Sequence, residues 1–279
     1  NNKKRVYKVL GHGRSTVVKT LSNILTRLGH KTVITELDPS LGYLCFPGVL
    51  GVKKMEQIND QYDNSLFFYY GNDKIENKEY YDVICKNIDN VKEKILTDDT
   101  IQILLDIQSD NFDNENFFYI VVGDETLFHS INKKNKFFIP CFRYKKIDKL
   151  RKIREYFYGS NKKSDINNLS YTPIIIKKKG LKPLQIGEHF LAPSSCLPIG
   201  KESKINNLII KTTKLENNQI VAISYGKDEK EVLDSPIKAF MIHLTDDQYL
   251  TVQEKMDDGL IVSGQIRLLE DDFEEIAHF

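Results

Sequence analysis

Gly11-His12-Gly13-Arg14-Ser15-Thr16 is the stretch of this chain whose residue types could do chemistry. Glycines at a strand end let backbone N–H groups close round an anion, and a basic side chain beside them offsets phosphate charge. A Ser or Thr hydroxyl at the next position can ligate Mg²⁺. That is the equipment of a phosphate-binding loop, written G-x-x-x-x-G-K-[ST]. The spacing here departs from it. His12 alone separates Gly11 from Gly13, three residues fewer than the pattern holds, and Arg14 stands where lysine would reach the phosphates. Arginine brings a planar fork rather than a compact point charge. Ser15 keeps the place of a metal-ligating hydroxyl. An ordinary strand-to-helix turn with Ser15 or Thr16 near the N-cap accounts for the same residues. Asp38-Pro39 reads as a strand-ending turn.

The neighbouring elements must position these groups. An apolar run over residues 6–10 stops at the glycines, and Val17, Val18, Leu21, Ile24, Leu25 and Leu28 then recur at helical spacing. A second apolar run, residues 32–37, ends at Asp38. Strand, glycine turn, helix, strand is the opening of a phosphate-binding α/β domain. Residues 66–71, 101–105 and 117–122 read as buried strands. Residues 79–96 and 125–131 have helical spacing. This alternation predicts an α/β domain with a mostly parallel sheet and helices on both faces. From residue 171 onward, short strands near 171–176, 207–211, 220–224, 239–244, 249–253 and 260–269 alternate with polar turns and predict a small β-rich C-terminal domain. The division expected is 1–159 and 160–279.

With 279 residues, 41% hydrophobic and 28% charged, the composition is that of a globular protein with room for a sizeable core. No apolar run approaches the roughly 20 residues that a membrane-spanning helix needs. Cys45, Cys85, Cys141 and Cys196 have neither paired nor metal-ligand spacing, which points to reduced thiols in an intracellular compartment. The net charge of +1 hides an asymmetry. Residues 131–183 hold 16 Lys and Arg against 3 acidic residues, whereas residues 201–279 hold 9 against 16. A basic middle suits a polyanion such as RNA along residues 133–154, or simply a solvated helix face opposite Ile147, Leu150, Ile153 and Phe157.

Several segments resemble the polynucleotide 5′-hydroxyl kinase family. Glu36-Leu37-Asp38 followed by Pro47-Gly48 is similar to that family's E-L-D-V-G-Q-G-x-x-x-x-P-G. Ile153-Arg154-Glu155-Tyr156-Phe157-Tyr158-Gly159 resembles its I-R-E-Y-F-Y-G junction. Pro193-Ser194-Ser195-Cys196-Leu197-Pro198-Ile199-Gly200 is similar to P-x-S-C-L-P-L-G of its Clp-type branch, the small P-loop subunit of the mRNA cleavage and polyadenylation factor. The resemblance runs from Val6 to about Leu269, and the β domain that precedes the P-loop strand in the family is expected to be absent.

The resemblance implies a P-loop NTPase-like fold and a nuclear protein with ATP and Mg²⁺ at Gly11, Gly13, Arg14, Ser15 and Thr16. It places Asp38 as the catalytic carboxylate and Ser15 on the metal. Against the family pattern the loop is short, lysine has become Arg14, and glutamine has become Leu41. Asp106-Ile107-Gln108 replaces the Thr-Gly-Trp clasp, and Arg143, Arg151 and Arg154 lack the R-x-x-x-R lid spacing. Each loss removes a separate stabilising interaction, about 2.7–4 kcal/mol for one oxyanion-type donor. The expectation is an inactive scaffold subunit of the 3′-end cleavage and polyadenylation complex, partnered with a cleavage-factor scaffold protein. The alternatives are an ATP-dependent RNA 5′-hydroxyl kinase and a nucleotide-stabilised assembly subunit without turnover. The aromatic junction segments are expected to serve interdomain packing.

Overall fold

The structure is a computed structural model that describes residues 5–56, 64–97, 99–106, 117–141, 148–159, 172–187, 208–245, 247–252 and 260–268. Along the chain come β1 (Arg5–Gly11), α1 (Arg14–Arg27), β2 (Thr32–Glu36), β3 (Val49–Met55), β4 (Ser65–Tyr69), α2 (Lys78–Ile95), β5 (Ile101–Leu105), β6 (Phe117–Val122), α3 (Glu125–Ser130), β7 (Lys136–Ile139) and α4 (Lys149–Tyr158). Then follow β8 (Ile174–Lys177), β9 (Lys182–Gly187), β10 (Ile209–Thr212), β11 (Gln219–Ser224), α5 (Glu229–Asp234), β12 (Ile237–His243), β13 (Gln248–Thr251) and β14 (Leu260–Arg267). The chain divides into two compact units. One is Asn1–Phe68 with Asn87–Thr172, the other Tyr69–Lys86 with Pro173–Phe279.

In the first unit the strand order is β3-β2-β5-β1-β6-β7. β2, β5, β1, β6 and β7 are parallel, and β3 runs antiparallel to β2. Alternation along the strands separates two apolar layers. Val9, Ile34, Ile103, Leu105, Ile120 and Val122 face Val18 of α1, with Val17, Leu21 and Leu25 packed at the margin. Leu10, Tyr119 and Val121 face Leu127 of α3 and Ile131. Helices therefore cover both faces, as the sequence pattern predicts for a mostly parallel α/β sheet.

Caps fix where the helices begin. The Asp124 carboxylate accepts from Leu127 N at 2.8 Å and the Asp148 carboxylate from Arg151 N at 3.2 Å, each an N-cap of the common acidic kind. At the other end of α3, the Lys136 ammonium donates to the carbonyls of Phe128 (2.9 Å) and Ile131 (2.8 Å), which lack helical partners.

The second unit is β-rich. Its strands run β10-β9-β14-β11-β12, with β13 on β12 and β8 on β13. All neighbours are antiparallel except β9 and β14. Val221, Ile223, Met241, Tyr249 and Ile261 form its core. The segment Tyr69–Lys86 is built into this unit rather than the first. The buried Tyr69 hydroxyl donates to the Ile220 carbonyl at 2.8 Å, and its ring meets Phe240 edge-on at 5.5 Å. Gly71 and Gly264 touch so closely that a Cβ on either would lie 2.5 Å from the other's Cα.

Candidate functional site

Gly11 ends β1 and Gly13 begins α1, with φ of 87° and 81°, a region that side chains with a Cβ rarely enter. The turn is pressed against the end of β6. His12 N donates to the Val122 carbonyl at 2.7 Å, and a Cβ on Gly11 would lie 2.2 Å from that same oxygen. Gly13 is the N-cap, and its carbonyl accepts from Thr16 N (3.1 Å) and Val17 N (3.4 Å). Ser15 and Thr16 follow in the first turn, near the N-cap as expected. Ser15 is half-buried and Thr16 exposed.

Arg14 turns inward. Its guanidinium is ion-paired with the Asp38 carboxylate and also donates to the Asp106 carbonyl at 2.7 Å. The two side chains are 13% and 7% exposed, so the pair is nearly dry. The other oxygen of Asp38 accepts from Ser40 N (2.9 Å) and Ser40 Oγ (2.7 Å). Both carboxylate oxygens are thus engaged. The Asp106 side chain holds the ammonium of Lys8, a buried residue of β1, at 2.7 Å. The result is a continuous run of polar contacts: Lys8, Asp106, Arg14, Asp38, Ser40.

Sequence reasoning singled out Gly11, Gly13, Arg14, Ser15, Thr16 and Asp38, and the structure puts all six around one turn. It missed Lys8 and the partner role of Asp106. The signal was a lysine in an otherwise apolar strand and an acidic residue ending another. Ile107, Gln108 and Arg143 lie outside the described residues, as do Lys145, Lys146, Ile147 and the segment 193–200. Of the basic run, Arg151 donates to Glu155 at 2.9 Å and Lys152 pairs with the same carboxylate at 3.2 Å. Ile153 and Phe157 are buried behind them. Arg151 and Lys152 thus pair with Glu155 along α4, whereas the Nε atom of Arg154 is buried.

A second group lies beside the site. Glu36 closes β2 and is wholly buried. Its two oxygens accept from Tyr43 N and Leu44 N, each at 2.7 Å. Burial outweighs those two donors and pushes the carboxyl up to about 7; nearby Asp38 adds to the rise and Lys152 of α4 opposes it. The Cys45 thiol is also raised, first by burial and then by Glu36. Phe46, in the same connection, meets Tyr156 of α4 edge-on at 5.6 Å. Phe46 and Tyr156 both belong to the first unit.

Among the described residues, no group of three or more His, Cys, Asp or Glu could hold a metal ion, and no helix is long and apolar enough to cross a membrane. Cys45, Cys85 and Cys141 are not disulfide-bonded.

Comparison with known proteins places this geometry. Residues 11–103 match the family described as the mRNA cleavage and polyadenylation factor CLP1 P-loop. The chain is 25% identical to the protein CLP1 homolog of Dictyostelium discoideum over 272 residues, covering 82% of this chain and 58% of that protein. It is 28% identical over 87 residues to the mRNA cleavage and polyadenylation factor clp1 of Neurospora crassa, covering 24% and 18%. The chain thus spans less than two thirds of either relative. Two solved structures share its fold. One shows an extended interface between Pcf11p and Clp1p, with the structural basis for ATP loss in a glycine-to-arginine point mutant (TM-score 0.67, 16% identity). The other is the wild-type Clp1p–Pcf11p complex (TM-score 0.64, 17% identity). Each match covers 96% of this chain and 75% of that one. Residues 11–103 are thus similar in sequence to the CLP1 P-loop family, and the chain shares the fold of Clp1p.

Proposed function

We propose that this chain acts as a non-catalytic, nuclear Clp1-type subunit of the pre-mRNA 3′-end cleavage and polyadenylation machinery, holding a protein partner of the Pcf11 kind. The observation that carries the reading is the Arg14–Asp38 pair. Phosphoryl transfer needs backbone donors round the phosphates, a mobile cation to neutralise them and a carboxylate available to the attacking hydroxyl. In this turn the His12 N–H is spent on Val122, the Arg14 guanidinium on Asp38 and Asp106, and the Asp38 oxygens on Arg14 and Ser40. The residues present do not fit a triphosphate and its Mg²⁺ without dismantling that network. The kinship to cleavage and polyadenylation factors supports the assembly role, and the Clp1p–Pcf11p neighbours support the kind of partner.

Affinity purification of the tagged full-length protein from nuclear extract tests the assignment. Cleavage and polyadenylation subunits should co-purify, and recovery should survive Arg14→Ala but fall with Tyr156→Ala. Recovery of the protein alone, or only with ribosomal-RNA or tRNA processing factors, refutes it. Transfer of labelled phosphate from ATP to an RNA bearing a free 5′-hydroxyl, lost in both Arg14→Ala and Asp38→Ala, establishes the kinase reading instead.

A further inference from the structure

The cations of α4 are spent within their own helix, since Arg151 and Lys152 both pair with Glu155. In the second unit the arrangement differs. Residues 173–187 carry Lys177, Lys178, Lys179 and Lys182, residues 208–215 carry Lys211 and Lys214, and neither stretch contains an acidic residue. Lys177, Lys179, Lys182, Lys211 and Lys214 are exposed, and among the described residues none of these five is ion-paired. We propose that this end of the β-rich unit is a docking surface for single-stranded nucleic acid, with the lysines on its phosphates and Tyr225 stacked on a base. The inference is independent of the assembly role above and of the Arg14 turn.

Strand register brings the groups together. Thr212 of β10 lies opposite Leu184 of β9, and the bond from Thr213 N to the Pro183 carbonyl (3.0 Å) carries the pairing one step further. The next step sets Lys214 beside Lys182. Like charges opposite one another destabilise a strand pair, so this end holds a repulsion that a bound anion would relieve. The connection from β8 to β9 adds Lys179. Its Gly180 has φ of 84° and nothing within 4 Å of where a Cβ would stand, so the turn is open to solvent.

The same line continues across the sheet. Lys182 pairs with Leu260 of β14, the adjoining Ile261 pairs with Ile223 of β11, and Ser224 pairs with Ile237 of β12. Tyr225 follows Ser224 at this end, 54% exposed, with the Lys238 ammonium 5.2 Å from its ring centroid. Strands lie about 4.8 Å apart, so three strand steps put Lys214 and Tyr225 about 14 Å from each other, the reach of a few nucleotides. The bordering acidic groups are engaged elsewhere. Glu216 holds Arg267 at 2.6 Å, Asp228 caps α5, and Glu231 accepts from Lys227 N at 2.9 Å. Glu229 and Asp234 of α5 mark the limit of the basic surface. Compact ammonium charges suit phosphates. An exposed ring beside a cation stacks any base, and this favours a nucleic acid strand over an acidic protein surface. Binding should therefore tolerate sequence and weaken steeply with salt.

Fluorescence anisotropy of the full-length protein with a labelled, mixed-sequence RNA of about 12 nucleotides tests the surface across a salt series. Binding should be measurable at low salt. Lys179→Gln combined with Lys182→Gln and Lys214→Gln should weaken it at least about tenfold and reduce the salt slope by about 2, the value for three phosphate contacts. Tyr225→Ala should cost about fivefold or more at unchanged slope. Arg151→Gln combined with Lys152→Gln should leave binding unaltered. If the triple variant does not fold, Lys182→Gln alone, with a slope reduced by about 0.7, decides the matter together with Tyr225→Ala. No binding at low salt, an unchanged slope in the lysine variants, no effect of Tyr225→Ala, or loss of binding in the α4 variant overturns the proposal. Poly-glutamate that competes as well as RNA also overturns it, in favour of an acidic protein surface.

Discussion

Arg14→Met keeps the length and apolar stem of the side chain while deleting the guanidinium, so it isolates the charge at the centre of the candidate turn. Removing one member of a buried ion pair typically costs about 3–5 kcal/mol, because the remaining charge is stranded. Asp38 retains two donors from Ser40 and is 7% exposed, which softens that loss. The lost bond to the Asp106 carbonyl adds back about 1 kcal/mol. The net expectation is about 2–4 kcal/mol of destabilisation. Urea unfolding reads it as a lower midpoint at unchanged slope. Asp38→Asn in the same background should recover part of the loss, giving a coupling energy of about 1–3 kcal/mol in the double-mutant cycle. Because the pair is nearly dry, raising the salt should change the coupling little. A single-variant loss below about 1 kcal/mol, or a coupling of zero, would show a solvated pair and refute the account of a turn closed by its own cation.

Calorimetric titration with ATP and Mg²⁺ should give weak or undetectable binding; micromolar affinity abolished by Ser15→Ala or Asp38→Ala would contradict the proposed loss of the phosphate site. Gly11→Ala should destabilise by at least about 2 kcal/mol, since both the positive φ and the 2.2 Å approach to the Val122 carbonyl oppose a Cβ, and near-neutral unfolding data would overturn that reasoning. Glu36 binds its proton more tightly folded than unfolded, so its contribution to stability is fully present below pH 4.5 and is lost as pH rises to about 7. Denaturation profiles should show a decline of about 3 kcal/mol from this group across that window, absent in Glu36→Gln. Tyr156→Ala should cost about 1–3 kcal/mol by removing the ring set against Phe46.

Period and punctuation made much of the first unit legible. Residues 6–10, 101–105 and 117–122 are unbroken apolar runs because parallel strands are covered on both faces, and the structure has strands there. The helix after Gly13 and the one centred on Ile84 and Ile88 follow from their spacing. β3 escaped notice: Val49–Met55 mixes two lysines into an apolar segment, and Lys53 is buried all the same. β7 and β9 are short and lysine-bearing, and they went unread for the same reason. The allocation of Tyr69–Lys86 to the second unit rests on the Gly71–Gly264 approach and the Tyr69 hydroxyl, contacts between residues about 150–190 positions apart that no local pattern encodes. At the candidate site the participants were visible as residue types. Their pairing was not, because the direction a guanidinium takes is set by tertiary neighbours.

The hydrogen bond from His12 to the end of β6 gives the shortened turn a history of its own. A loop long enough to wrap phosphates needs three more residues between the two glycines. The first inserted residue would already pull His12 N from the Val122 carbonyl and part Arg14 from Asp38, with no added anion contact in return. Substitution alone cannot lengthen a chain, so exchanging Arg14 for lysine leaves the geometry closed. The packing of one backbone carbonyl thus acts as a ratchet, keeping the short turn in place whether or not anything selects for it.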